Sequence, residues 1–484
     1  MYLGIDLGTS EVKTVLVDPD QAVLATARAP LTVQRPQPAF SEQDPERWWE
    51  AVVATVDELR REHPDAVAAV RAIGLAGQMH GATLLDDADR PLRPCILWND
   101  GRAAGECAEL DAAADFRGIA GNLVMAGFTA PKLRWVERHE PDVFARTRRV
   151  LLPKDYLRLR LTGEAVSEMS DAAGTLWLDT ARRCWAGELL AATHLDERRM
   201  PALVEGTAVS GRLRAALASR WGMATAPVVA GGGGDNAASA CGVGAVRPGA
   251  AFLSLGTSGV LFVATDRFRP NVARAVHAFC HALPATWHQM AVILAAADSL
   301  AWWARQVGST PQALTAGLGA RPTAPSPAFF LPYLGGERTP HNDATVRGAF
   351  AELGHEVDRA ALTQAVLEGV AFAYKDGLDA LAAAGSEVEA ITAVGGGARS
   401  TFWRHVLASV LERPIRVPAA GDIGAAFGAA RLAMAAAGTP ADDALFAPPP
   451  TAAVIEPDPA LAAAYRERLA AFRALYPALK TALS

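Results

Sequence analysis

The tetrapeptide Leu7-Gly8-Thr9-Ser10 returns as Leu255-Gly256-Thr257-Ser258, and each copy lies between two apolar, strand-like runs. Before the first copy Leu3, Ile5 and Leu7 alternate with Gly4 and Asp6, and Val12-Lys13-Thr14-Val15-Leu16-Val17 follows it. The second copy joins the runs 251–255 and 260–264. Period-two alternation on both sides of a glycine-containing turn is the pattern of an antiparallel hairpin. A hairpin used twice predicts two lobes of similar build, each opening with the same unit. The chain has 484 residues, more than one hydrophobic core usually serves. Val246-Arg247-Pro248-Gly249 reads as the connector, dividing the chain into residues 1–245 and 246–484.

Between the hairpins, strand-like runs at 72–76, 95–98 and 227–230 alternate with helical patterns, such as one opened by Asp44-Pro45-Glu46. There Asp44 suits the N-cap and Pro45 the first helical position. The alternation predicts an α/β fold. A formal net charge of −6 offers no broad basic field, so nucleic acid and anionic membrane surfaces are not expected as partners. Five cysteines without a Cys-x-x-Cys pair suggest reduced thiols in a cytoplasmic protein. Met1-Tyr2-Leu3-Gly4 lacks a signal-peptide pattern, and the most apolar stretch, 291–297, is far short of the ~20 residues of a membrane-spanning helix. His277, Cys280, His281 and His288 invite a zinc assignment, but alternation around Leu283-Pro284-Ala285-Thr286 reads better as a hairpin. A final helix is expected from about Pro459, with an apolar stripe of Leu461, Tyr465, Leu469, Phe472, Leu475 and Leu479. Docking of that stripe on its own lobe is favoured over the seam of a homodimer.

Four clusters could carry chemistry. At the first turn Gly8, Thr9 and Ser10 offer close backbone approach, hydroxyls and successive amides, so it is either a plain β-turn or a seat for phosphate. Asp6 points to the same side, and a carboxylate beside phosphates calls for a bridging cation such as Mg²⁺, with Asp235 as its second holder. Lys13 belongs to this hairpin, as a phosphate partner or an exposed strand lysine. The aligned position in the second copy, Ser254, is uncharged.

The run Gly231-Gly232-Gly233-Gly234-Asp235-Asn236 follows a strand and precedes a small-residue helix. It satisfies the G-x-G-x-x-A form of dinucleotide sites, yet Asp235 would stand where a pyrophosphate needs donors. Asp235 either caps the helix or acts as a general base. Gly395-Gly396-Gly397 is a tight β–α turn or flat backbone for an adenine ring. Gly77-Gln78-Met79-His80-Gly81 and Trp98-Asn99-Asp100-Gly101-Arg102 place Gln78, Met79, His80, Trp98, Asn99, Asp100 and Arg102 just past strand ends, a set suited to a polyhydroxyl pocket, with Asn236 beside it. There is no P-loop and no protein-kinase motif set.

The duplicated hairpin and the 395–397 loop resemble the actin-like ATPase fold, two ribonuclease-H-like lobes closing over a nucleotide. Within it the chain resembles the FGGY carbohydrate kinases, through Gly4-Ile5-Asp6-Leu7-Gly8-Thr9-Ser10, the 231–236 run, Leu253 to Gly259, Gly395 to Ala398, and Phe128-Thr129-Ala130-Pro131-Lys132-Leu133-Arg134-Trp135. Residues 77–83 and 97–102 are similar to the xylulokinase branch. That resemblance implies that Met79, His80 and Asp100 contact xylulose, that Asp235 is the base, that Gly256, Thr257, Gly396 and Gly397 meet ATP, and that xylulose 5-phosphate is the product. Competing readings are a kinase of ribulose, gluconate or glycerol, an actin-like nucleotide switch, and a dinucleotide enzyme.

Overall fold

The computed structural model describes residues 1–419 and 424–483. Its first sheet contains β1 (Tyr2–Leu7), β2 (Glu11–Val17), β3 (Val23–Pro30), β4 (Ala72–Gly77), β5 (Val209–Arg212) and β6 (Val228–Ala230), in the order β5-β6-β4-β1-β2-β3. A two-residue β7 (Gly233–Gly234) also pairs with β4, beyond β6. The second sheet contains β8 (Ala251–Leu255), β9 (Gly259–Thr265), β10 (His277–Cys280), β11 (Trp287–Ile293), β12 (Ile391–Val394), β13 (Ile415–Pro418) and β14 (Thr451–Ile455). Its order is β10-β11-β9-β8-β12-β13-β14.

The two sheets share one pattern of pairing. In each, the opening hairpin is antiparallel and extended by a third antiparallel strand, while the opening strand also pairs parallel with one that itself has a parallel neighbour. An antiparallel strand then closes that edge, β5 on β6 and β14 on β13. This is the pair of similarly built α/β lobes that the repeat predicted, and the two-lobed build that the resemblance to the actin-like ATPase fold implied. The turns differ in one detail: Leu7 faces Val12, but Leu255 faces Gly259, so the second turn is one residue tighter.

Helices follow from capping and spacing. In α1 (Pro45–Glu62) the Asp44 carboxylate accepts the Glu46 N–H at 3.0 Å, and Trp48, Val52, Val56 and Leu59 bury one face against the first sheet. Further on come α2 (Pro153–Thr162), α3 (Met169–Ala172), α4 (Asp235–Val243), α5 (Ala297–Gln306), α6 (Arg359–Ala383) and α7 (Thr401–Leu411). The last two are α8 (Ala425–Ala436) and α9 (Pro459–Leu483).

Although α8 follows the second sheet in sequence, it lies against β1 and β4 of the first and against α4. Glycine makes this possible. A Cβ on Gly74 would stand 1.8 Å from the Ala429 carbonyl oxygen, and one on Gly428 1.7 Å from that of Ala238. Ala76, Ala238, Ala425 and Ala429 close the seam as a buried alanine cluster. The hairpin expected over 276–290 forms as β10 and β11. His277 Nδ1 lies 2.9 Å from Asn122 Oδ1 and Cys280 Sγ donates to the Thr180 carbonyl, while both ring nitrogens of His288 are buried without a hydrogen-bond partner. No group of three or more His, Cys, Asp or Glu side chains among the described residues could hold a metal ion. The stripe on α9 docks on its own lobe, with Tyr465 and Phe472 buried and the Tyr465 hydroxyl donating to Glu368 at 2.9 Å. Among the described residues, no helix is long and apolar enough to cross a membrane.

Candidate active site

Parallel pairing of β1 and β4 sets Leu7 beside Gly77, so the Gly8–Ser10 turn and the residues after Gly77 leave the sheet together. The turn is pinned from three sides. Thr9 Oγ1 donates to Gln78 Oε1 and accepts the Trp98 indole N–H, both at 3.0 Å, while Gln43 Nε2 donates to the Thr9 carbonyl at 2.7 Å. Gln78 Nε2 in turn donates to Gln43 Oε1 at 3.1 Å, an oxygen that also accepts from Trp48. Gln78 was expected in the sugar pocket. Instead it is 2% exposed, with both ends of its amide engaged, and it braces the Gly8–Ser10 turn.

Asp6 leaves β1 opposite Lys13 and points beside Asp235, the first residue of α4. Burial first, then the charge of Asp235, push the Asp6 carboxyl up to about 7, against the pull of Lys13 across the ladder. Burial pushes Asp235 up to about 6, opposed by the backbone and side-chain amides of Asn236, both donating to Oδ1 at 2.7 and 3.0 Å. The cap position itself belongs to Gly234, which makes no side-chain cap bond, so Asp235 is not the N-cap. Asp6 Oδ1 is buried without a hydrogen-bond partner. An orphaned carboxylate oxygen beside a second carboxylate fits a hard, oxygen-seeking cation such as Mg²⁺.

Met79 and His80 come next to this pair. A Cβ on Gly234 would meet Met79 Cγ at 3.0 Å, which places Met79 against the backbone that presents Asp235. His80 has a positive φ of 69°, and its backbone carbonyl accepts both Lys132 Nζ at 2.8 Å and the Thr129 hydroxyl at 3.1 Å. Its ring packs edge-on to Phe128, at 4.6 Å between centroids, with Phe279 of the second lobe behind. Burial pushes His80 down to about 3, so the ring is neutral. Nδ1 lies 2.6 Å from the Gly174 carbonyl, which can only accept. The proton therefore sits on Nδ1, and Nε2 is left as an acceptor for a hydroxyl.

The second half of the predicted set divides. Trp98 remains 38% exposed and joins the turn through Thr9, Asn236 is half-buried beside Asp235, and Asn99 is exposed. Arg102 was expected to reach sugar, but its side chain is 1% exposed and closes on Asp100 through Nε and Nη2 at 2.9 and 2.7 Å. Its guanidinium lies over the Phe40 ring at 3.7 Å, and Asp100 also accepts the Ser41 N–H. Arg102 Nη2 also lies 2.7 Å from Glu42 Oε1, so the guanidinium is held between two carboxylates inside the wall of the pocket. Gln43, Lys132 and Gly174, which hold this site, carry no motif that marks them; Lys132 alone falls within a segment singled out in the sequence, and there without a role.

On the second lobe, β8 and β12 pair with Ser254 beside Val394, so the turn after Leu255 and the glycine loop at 395–397 emerge as neighbours. Gly395 adopts φ of 91°, and a Cβ there would stand 2.7 Å from the Leu255 carbonyl. Between them opens a cavity of about 720 Å³ lined by Gly256, Thr257, Gly396 and Gly397, together with Asp298 at the start of α5 and Thr315. Backbone ties at Thr257, whose carbonyl accepts the amides of Ala296 and Asp298, hold the α5 end against the turn.

Two similar lobes, a paired carboxylate site at the first hairpin and a glycine-lined cavity at the second define a nucleotide-dependent phosphotransferase. Residues 1–242 match the N-terminal domain of the FGGY family of carbohydrate kinases and residues 251–437 its C-terminal domain, and the chain belongs to that family. It is 50% identical over 482 residues to a xylulose kinase of Escherichia coli, covering 99% of each chain. Among solved structures it is similar to a xyloylose kinase from Brucella ovis, with a TM-score of 0.97, 59% identity and complete coverage of both chains. A gluconate kinase from Lactobacillus acidophilus also superposes, with a TM-score of 0.92 at 26% identity over 99% of this chain and 98% of that one.

Proposed function

We propose that this carbohydrate kinase transfers the γ-phosphoryl group of ATP to D-xylulose, giving D-xylulose 5-phosphate, in the cytoplasm. The observation that carries the reading is the place of Asp235, between Met79 on the sugar side and Asp6 on the phosphate side. Its carboxylate takes the proton of the attacking sugar hydroxyl as that oxygen bonds to the γ-phosphorus and ADP leaves on the opposite side. His80 Nε2 accepts a second sugar hydroxyl, and Met79, Phe128 and Trp98 offer apolar faces for its C–H groups. The Gly8–Ser10 turn with Lys13 and the Gly256-Thr257 turn meet the phosphates, while Gly396 and Gly397 floor the adenine cavity. Mg²⁺, held by Asp6 with Asp235, would supply charge neutralisation to the phosphates. The partners in this reading are sugar and ATP. The α9 stripe packs on its own lobe, with Leu475 and Leu479 only partly buried, and a homodimer would be read by its mass in solution.

A comparison of kcat/KM over ketoses and polyols tests the substrate. D-xylulose is expected to lead, and a higher value with ribulose, gluconate or glycerol would overturn the assignment. The gluconate kinase with the same backbone makes this comparison necessary, since small changes in a pocket redirect a shared fold.

A further inference from the structure

Five charged side chains that the reaction does not use lie together at zero side-chain exposure: Lys154, Asp155, Arg158, Glu168 and Asp171. Lys154 Nζ lies 2.7 Å from Asp155, 3.0 Å from Asp171 and 3.4 Å from Glu168. Burial raises the Asp171 pKa well above the usual carboxylate value, against the pull of the Lys154 ammonium beside it. Removing such groups from water is costly, and Asp155 Oδ2 and both Asp171 oxygens have no hydrogen-bond partner, so the cluster is weak evidence for stability.

What it fixes is the backbone that carries Asp235. Arg158, on α2, donates from Nη1 to the Ala230 carbonyl and from Nη2 to the Gly231 carbonyl, each at 2.5 Å. Glu168 caps α3 by accepting the amides of Ser170 and Asp171 at 2.7 and 2.9 Å, and its carboxylate also accepts the Ser170 hydroxyl proton at 2.9 Å. Ser170 Oγ then accepts the Gly234 N–H at 3.0 Å, one residue before the base. Four residues further along the same segment, the Gly174 carbonyl takes the His80 Nδ1 proton.

We propose that Ser170 is a positioning residue for Asp235, and that the segment from Glu168 to Thr175 is a strut that sets the base and the sugar-holding His80 at a fixed separation. The strut acts at both of its ends, on the Gly234 amide and on the His80 ring. The inference rests on the reading of Asp235 as the base. With the Ser170 hydroxyl gone, Gly234 loses its acceptor and the loop relaxes, while the sugar and nucleotide contacts are untouched.

The test is Ser170→Ala, assayed with D-xylulose and MgATP. Misplacement of a catalytic group by about 1 Å costs about 10²-fold, so kcat is expected to fall about 10–100-fold. Both KM values should stay within about twofold, because ground-state contacts are kept. ATP hydrolysed per sugar phosphate formed should rise, since water competes when the base is out of line. Ser170→Thr, which keeps the hydroxyl, should recover most of kcat. A kcat within about twofold of wild type in Ser170→Ala, or a loss in which kcat, both KM values and the melting temperature move together, would overturn the strut. Asp235→Asn is run beside it. If that variant keeps more than about a tenth of kcat, the base assignment itself fails, whereas an inactive Asp235→Asn with an unimpaired Ser170→Ala removes the strut alone.

Discussion

At the scale of single residues, Asp235 and Asp6 are unlike ordinary surface aspartates because burial and proximity oppose their ionisation. A general base contributes about 10²–10⁴-fold, so Asp235→Asn should lower kcat by at least that range with little change in nucleotide affinity. Asp235 must be ionised to accept a proton, and burial pushes it up to about 6. kcat/KM should therefore fall on the acid side with a midpoint near that value; a profile flat down to pH 5 would contradict the assignment. For Asp6 the sign runs through stability. Its pKa in the folded chain is raised to about 7 from 3.8, so between those values the native state holds the extra proton and stability declines as pH rises. Asp6→Asn, which cannot ionise, should melt later than wild type at pH 8 in EDTA, by about 1–3 kcal/mol, and the gap should close toward pH 4. Equal melting temperatures at both pH values would show that Asp6 is not strained. Asp6, Met79, His80 and Asp235 could be singled out because each sits in a short run with a glycine turn or strand end beside it, and the structure brings them together. Gln78 and Arg102 were misread for a physical reason: a polar side chain past a strand end has the same sequence whether it enters the cleft or ties to the next loop. Ser170 and Gln43 left no signal, since they act through single hydrogen bonds to backbone far along the chain.

At the scale of elements, the strands and hairpins followed from alternation and turn chemistry, local properties that a sequence displays directly. The placement of α8 did not. Its alanines and glycine announce a helix of small residues, but not that the helix lies on the opposite sheet at van der Waals distance. That fact resides in the pairing of Gly428 with α4 and of Gly74 with α8, which are contacts between distant parts of the chain. Gly428→Ala brings a methyl against the Ala238 carbonyl, which only a shift of backbone relieves. Overpacking of this kind costs about 1–3 kcal/mol, so a lower denaturation midpoint is expected, together with reduced kcat, because α4 begins at Asp235. A neutral Gly428→Ala would mean that the two helices part more easily than their contact implies.

At the scale of the whole molecule, the proposed reading puts the sugar and phosphate groups on the first lobe and the adenine cavity on the second, so transfer would require the lobes to come together. The Phe128 and His80 rings lie 5.6 Å and 6.1 Å from those of His277 and Phe279 of the second lobe, so the two lobes are in contact beside the candidate site. Addition of D-xylulose with a non-hydrolysable ATP analogue should reduce the radius of gyration in small-angle scattering, and ATP hydrolysis without sugar should be slow. An unchanged radius with both ligands bound would argue that the site is complete as it stands. The position of α8 bears on modularity as well. Neither half of the duplication is a finished object: the first, severed after residue 245, leaves the Gly4 and Gly74 face of its sheet bare, and the second carries a helix with nothing beneath it. The repeat in the sequence thus marks a likeness of build and not a line of cleavage. A gene split there would have to yield two pieces that find each other before either could fold.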